Sequence, residues 1–281
     1  MNIFNAIVLG LIQGVAEFLP ISSSGHLALF ENILGAESMA VMDSSALFNI
    51  LLHLATLVAV VIAYWGDVRD MAAECVDIVR DVRHGRRLAA GNIPTRRLIL
   101  MIIIATLPLF VIAPFHSQVE KLNAVPWFIG AALMVTGLLL YIADRMPHGD
   151  KTERNMSVQD AVVVGIAQAV ATIPGLSRSG TTITAGMSRG FERKFAVRFS
   201  FLISLLSVLG AVMLTLLDVV DEGVDPALIP ACLVGMVVAG VTGYLSIKLL
   251  QKIVSRGRFG GFAYYCWGVG ALSIILSVIL K

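Results

Sequence analysis

Charge is what this 281-residue chain has least of: Asp, Glu, Lys and Arg together make up 14% of it, against about 25% in an ordinary soluble domain. With 57% hydrophobic residues, a soluble fold of this size would carry an apolar excess that its own surface could not cover, whereas a bilayer solvates it directly. The net charge of +2 supplies no broad basic field, which excludes a nucleic-acid binder. Cysteine is scarce as well. Cys75, Cys232 and Cys266 are too far apart for a metal motif or a disulfide framework and are read as fillers. No Lys or Arg precedes Arg69, so the N-terminus lacks the basic region of a signal peptide and is expected to be retained.

What is abundant is apolar length. Six charge-free stretches can each cross the hydrocarbon at about 20 residues per span: 44–65, 98–115, 125–143, 199–217, 227–247 and 259–280. Two further apolar regions, 1–35 and 157–190, are too short for two spans and are broken by Pro, Gly and Ser clusters, which predicts re-entrant hairpins. Backbone freed at membrane depth must be buried in protein or line a wet cavity, so both breaks are expected to point inward. If span 44–65 ends inside, the inner loops collect eighteen of the 21 basic residues, and both termini fall on the outer side. Lys121 and Lys281 lie outside, the loop from Asp218 to Asp225 is purely acidic, and Arg178 is left within the second hairpin. Trp65 and Trp127 sit at span ends, as an aromatic belt requires. The segment from Arg69 to Arg97, with Asp70, Glu74, Asp77 and Asp81 at helical spacing, predicts an amphipathic helix on the inner surface with a solvated charged face.

A shift of 155 residues aligns Ala6–Gly25 with Ala161–Gly180 without a gap, and nine of the twenty positions are identical. Each copy, 1–150 and 151–281, is a hairpin followed by three spans. Three is odd, so the second copy inserts upside down. The expected fold is an all-α integral membrane protein with an inverted repeat whose hairpin tips face each other near the midplane. Identity is densest at the polar breaks, which argues for a shared site over duplication for packing alone. Small residues such as Gly130, Gly137, Gly235 and Gly243 fit either internal packing or a homodimer.

The tips carry the chemistry. The first runs from Gln13 through Glu17, Pro20, Ser22, Ser23, Ser24 and Gly25 to His26; the second runs from Gln168 through Pro174, Gly175, Ser177, Arg178, Ser179 and Gly180 to Thr182. Under the repeat Ser23 corresponds to Arg178 and Glu17 to Thr172, so divergence has left one acid and one base. A lone charge at mid-bilayer costs about 2.5–3.5 kcal/mol on insertion scales, and a structural ion pair would offset that cost. Such a pair needs neither seven tip hydroxyls nor a histidine. The inventory suits a phosphorylated substrate. Arg178 offers a planar fork, and Ser-Gly turns opening onto helix N-termini offer backbone N–H groups, with Ser22, Ser24, Gly25, Ser177, Ser179, Gly180 and Thr182 as candidate phosphate contacts. Ser23 or Ser22 is the candidate nucleophile, with His26 as base or general acid. Gln13 and Glu17, one helical turn apart, are candidate oxygen ligands for Mg²⁺ or Ca²⁺. His53, inside a span, is read as a packing histidine, and His84, His116 and His148 carry no signal.

These tips resemble those of the bacitracin-resistance family of undecaprenyl-diphosphate phosphatases. Its first motif, Glu or Gln, three residues, Glu, Phe-Leu-Pro and Ser-Ser-x-Gly-His, is matched at Gln13, Glu17, Pro20, Ser22, Ser23, Gly25 and His26. Its second, Pro-Gly-x-Ser-Arg-Ser-x-x-Thr, is matched at Pro174, Gly175, Ser177, Arg178, Ser179 and Thr182. Some members have Glu where this chain has Gln13. The resemblance implies hydrolysis of undecaprenyl diphosphate to the monophosphate at the outer side of the bacterial plasma membrane, with a divalent cation and with Ser23 or His26 as nucleophile. Type 2 phosphatidic acid phosphatases share a Ser-Gly-His but require a Lys-x6-Arg-Pro, which is absent here. A carrier of the lipid monophosphate would share the inverted-repeat architecture but would need no nucleophile beside a histidine.

Overall fold

A computed structural model of the chain describes residues 2–34, 46–84, 93–115, 118–119, 121–222, 226–255 and 259–279. Among these the only non-helical pairing is a single bridge between Lys151 and Phe191. Residues 1, 35, 44–45 and 280 of the expected hairpin and spans lie outside the described residues, as do His116, Asp225, Lys281 and four of the eighteen inner basic residues, Arg86, Arg87, Arg256 and Arg258.

Hairpin 1 is formed by α1 (Ile3–Phe18) and α2 (Ser23–Leu34), and hairpin 2 by α8 (Val158–Val170) and α9 (Arg178–Ser188). The first half continues through α3 (Ala46–Ala63), α4 (Trp65–Arg83), α5 (Ile93–Thr106), the short α6 (Leu109–Ile112) and α7 (Pro126–Arg145); the second continues through α10 (Arg193–Glu222), α11 (Ile229–Ser255) and α12 (Gly260–Ile279). Among the described residues five helical stretches are long and apolar enough to cross a bilayer, and α3 makes a sixth when joined to α4 across an 88° bend. Each expected span coincides with one of them. Helices α10 and α11 overrun the charge-free windows because helical hydrogen bonding does not stop where lipid does, and Arg193, Lys194 and Lys252 carry their charges beyond it.

The polarity pattern is that of a protein solvated by lipid. Val237, Val241, Leu245 and Leu249 form an exposed apolar stripe at four-residue spacing on α11, while Gln13, Ser22, Ser177, Ser179, Thr181, Thr182 and Thr184 are buried at the tips. Helix α4 leaves the α3 axis at Tyr64 and exposes Val76, Val79 and Val82 between its charges, as an interfacial helix should. Glu74 departs from the expectation of a uniformly solvated acidic face. It is buried and pairs with Arg96 at 2.6 Å, tying α4 to the start of α5. Cys75 is exposed on the same helix, while Cys232 and Cys266 are buried, so only the latter two act as fillers.

Glycine contacts reveal the symmetry. Helix α1 runs parallel to α11: a Cβ added at Gly10 would lie 2.5 Å from the Gly235 carbonyl oxygen, and one added at Gly14 would lie 2.5 Å from that of Ala239. The repeat-equivalent Gly165 on α8 makes the same approach, 2.5 Å, to the Ala105 carbonyl oxygen of α5. Helices α7 and α12 run antiparallel, with a Cβ at Gly130 meeting the Gly270 carbonyl oxygen at 2.7 Å and one at Gly270 meeting that of Gly130 at 2.6 Å. Helices α3 and α10 are antiparallel too, Ile50 packing on Val208 and Val212 at one end and Tyr64 on Phe201 at the other. When equivalent helices cross antiparallel with reciprocal contacts, the two-fold axis lies perpendicular to both, that is, in the membrane plane. Gly130, Gly137, Gly235 and Gly243 all serve internal packing, against Gly270, Trp267, Phe48 and Phe18 respectively. Gly14→Val is therefore expected to wedge α1 from α11 and to lower the unfolding temperature in detergent, measured by circular dichroism, whereas Gly66→Val, with open space around it, should not.

Candidate active site

Both tips are built by the same local rules. Helix α1 stops at Phe18 because Leu19 turns extended ahead of Pro20, and Ser22 adopts φ 74°, a left-handed conformation that costs a non-glycine residue about 1–2 kcal/mol. At the second tip Gly175 takes the left-handed position, φ 89°, after Pro174. Ser22 Oγ then accepts the Gly25 N–H at 3.2 Å, and the equivalent Ser177 Oγ accepts the Gly180 N–H at 3.1 Å. These hydroxyls cap α2 and α9, leaving backbone to approach backbone. Gly25 lies against Gly175, while Gly180 lies against Pro20, which is the repeat equivalent of Gly175. The two tips thus cross each other at the two-fold axis.

The crossing brings the acid of one repeat to the base of the other. Arg178 donates Nη2–H to Glu17 Oε1 and Nη1–H to Ser207 Oγ of α10 at 3.0 Å. Glu17 Oε2 accepts from Ser23 Oγ at 2.7 Å and from Gln13 Nε2 at 3.2 Å. Gln13 Nε2 also lies 3.3 Å from His53 Nδ1, which must accept, so the neutral ring of His53 carries its proton on Nε2. The Glu17 side chain is 6% exposed and that of Arg178 27%, so the acid is the more deeply buried partner. Ser23 is half-buried and Ser24 exposed. Of the three groups joined at the crossing, Ser23 and Arg178 are partly exposed and the Glu17 side chain is buried.

His26 is hydrogen-bonded to other partners than Ser23. Although one turn from Ser23 on α2, it sets Nδ1 2.8 Å from the Ser22 carbonyl oxygen and Nε2 2.9 Å from the Tyr265 hydroxyl of α12. A carbonyl oxygen only accepts, so in the neutral ring Nδ1 holds the proton and Nε2 offers a lone pair. The side chain hydrogen-bonded to Ser23 is the Glu17 carboxylate, while His26, expected as base or general acid, faces Tyr265. The second-tip hydroxyls are largely committed to structure: Ser177 and Ser179 lie 3.3 Å apart, and Thr182 donates to the Arg178 carbonyl oxygen at 2.8 Å and meets Ser200 at 2.6 Å. Thr136 of α7 clamps that tip, donating to the Gly175 carbonyl oxygen and accepting from the Ser177 N–H, both at 3.0 Å. Thr136, Ser207 and Tyr265 escaped sequence reasoning, whereas His53 meets a neighbouring helix as a span histidine is expected to. Only Ser207 carried a legible signal, since Ser200, Ser204 and Ser207 mark one polar face on an otherwise apolar span.

The donor set accommodates a hard cation of limited demand. Gln13 Oε1 is buried without a hydrogen-bond partner, next to the Glu17 carboxylate. One carboxylate and one amide oxygen suit Mg²⁺ or Ca²⁺ completed by phosphate oxygens. No group of three His, Cys, Asp or Glu that could form a self-sufficient protein cage occurs among the described residues.

The sequence matches the family model described as bacitracin resistance protein BacA over residues 6–272. The chain belongs to that family. It is 39% identical over 281 residues to a protein named undecaprenyl-diphosphatase from Methanobrevibacter smithii, with 99% of each chain covered. Proteins of the same name from Halothermothrix orenii, 36% identical with 99% of each chain covered, and Korarchaeum cryptofilum, 37% identical with 98% of this chain and 100% of the relative covered, are similar along their whole lengths. In this member of the BacA family, both hairpin tips and the Tyr265 that meets His26 fall within the matched range.

Proposed function

We propose that the chain hydrolyses undecaprenyl diphosphate to undecaprenyl phosphate and inorganic phosphate, returning the lipid carrier to cell-wall polymer synthesis and lowering sensitivity to bacitracin. The observation that carries this reading is the hydrogen bond from Ser23 to Glu17 beside the half-open Arg178 fork, in a chain whose full-length relatives are named undecaprenyl-diphosphatase. Nucleophile, base and an orienting third group stand in the order that activated hydroxyls require.

The terminal phosphate competes with Glu17 for the Arg178 guanidinium, which leaves the carboxylate uncompensated and more basic. Ser23 Oγ attacks the terminal phosphorus and passes its proton to Glu17. The Oγ–P bond forms as the bridging P–O bond breaks, and the electron pair departs on undecaprenyl phosphate. Water then displaces Ser23 Oγ, which recovers its proton from Glu17, while the proton of the water goes to the lone pair on His26 Nε2 and leaves with the released phosphate, restoring the neutral imidazole. Gln13 and Glu17 would hold the divalent cation, which would neutralise charge on the diphosphate. Both termini lie on the extracytoplasmic side, because that orientation leaves eighteen of the 21 basic residues inside, and the family resemblance puts the reaction on that same side.

Purified protein in detergent is expected to release phosphate from undecaprenyl diphosphate with Mg²⁺ or Ca²⁺, and a chelator is expected to slow release by about tenfold or more until the cation is restored. Binding of undecaprenyl phosphate without phosphate release under any divalent cation would favour the carrier instead.

A further inference from the structure

Tyr265 joins two features that the reaction above leaves unconnected. Its hydroxyl lies 2.9 Å from His26 Nε2, and its ring stacks on the imidazole with centroids 5.6 Å apart and planes 8° from parallel. With Nδ1 fixed on the Ser22 carbonyl oxygen, the imidazole is held by its own tip on one side and by the other repeat on the other. The same tyrosine lines an apolar groove of about 670 Å³ with Val15, Leu19 and Ile21 of hairpin 1, Ile253 of α11 and Phe262 of α12. Leu19 and Ile21 flank Pro20, so the groove begins at the tip crossing and reaches the C-terminal end of α11 and the N-terminal end of α12. The Tyr265 hydroxyl is the one polar side-chain group among these lining residues.

Resting on the diphosphatase reading, we propose that Tyr265 is a positioning residue for His26 and forms the wall against which the first isoprene units of the prenyl chain lie. The hydroxyl presents the His26 lone pair in one direction until water replaces it. The ring meanwhile couples that direction to whether the groove is filled. The occupant is a prenyl chain because the groove is apolar and starts at the tip that would hold the diphosphate.

The test compares undecaprenyl diphosphate with isopentenyl diphosphate, whose five carbons leave most of the groove empty. Tyr265→Phe keeps the wall and the stacking but removes the hydroxyl. It is expected to lower kcat about tenfold with little change in KM, and to cause no further loss in a His26→Gln background, where there is no Nε2 lone pair to position. Tyr265→Ala adds the loss of the wall and should raise the ratio of the two KM values, long chain over short, about fivefold. Gly261→Leu approaches the groove from the other side: a Cβ there meets open space, so the fold is not strained, and the side chain is expected to raise the same ratio. Wild-type kcat in Tyr265→Phe, a loss that adds fully to that of His26→Gln, or an unchanged KM ratio in both Tyr265→Ala and Gly261→Leu overturns the assignment while leaving the phosphatase intact. Absence of phosphate release from either substrate by the wild-type protein overturns both.

Discussion

Glu17→Gln is expected to lower turnover about 10²–10³-fold. The amide keeps the volume of the carboxylate but can accept on only one oxygen, whereas Glu17 accepts from Arg178 on Oε1 and from Ser23 and Gln13 on Oε2. Whichever way the amide turns, an NH₂ group faces a donor, and no proton can be taken from Ser23. The same substitution strands the Arg178 charge, and breaking a buried pair by removing one partner costs about 3–5 kcal/mol, an upper bound here because Arg178 is partly exposed. Adding Arg178→Gln removes the stranded charge. The double variant is therefore expected to regain much of the lost unfolding temperature while turnover stays at or below that of the single variant. Recovery of both stability and turnover would assign the pair to folding alone, and turnover in Glu17→Gln within about threefold of wild type would remove Glu17 from the reaction.

Ser23→Ala is expected to lower kcat about 10³-fold or more while leaving the Glu17 and Arg178 pair in place, because the hydroxyl contributes one hydrogen bond to that pair and none to the helix caps. Its unfolding temperature should stay close to that of the wild type, since the capping hydroxyl at this tip belongs to Ser22. His26→Ala is expected to cost less, about 10²-fold, as it removes a proton carrier for the second step but leaves the first step its base. The order of the two losses matters more than their size. A larger loss in His26→Ala than in Ser23→Ala would move the nucleophile to the imidazole and leave Glu17 an orienting role.

The scarcity of charge made the centre of the site legible. Once eighteen basic residues were assigned to the inner loops and two to the outside, Arg178 remained, and the repeat placed it opposite Ser23 at the same tip position. The crossing of the tips follows from the same repeat, because an axis that maps Pro20 onto Gly175 also maps the contact of Gly25 with residue 175 onto the contact of Gly180 with residue 20. What stayed hidden were partners carried on spans, Thr136 and Tyr265 above all. Neither belongs to a polar stripe, and the rotation of a lipid-solvated helix about its axis is set by packing against neighbours that no local pattern names. The contact between Ser23 and Glu17 was hidden for a related reason. Spacing along α2 puts Ser23 and His26 one turn apart, but the Ser22 carbonyl and Tyr265 draw the imidazole away, and the end of α1 brings Glu17 in.

The most direct measurement is a rapid acid quench of the purified protein turning over undecaprenyl diphosphate labelled in its terminal phosphate, followed by mass spectrometry of the tip peptides. The account predicts acid-stable phosphate on Ser23, absent in Ser23→Ala and diminished in Glu17→Gln. Acid-labile phosphate on His26, or no phosphoenzyme at any quench time during active turnover, would contradict it.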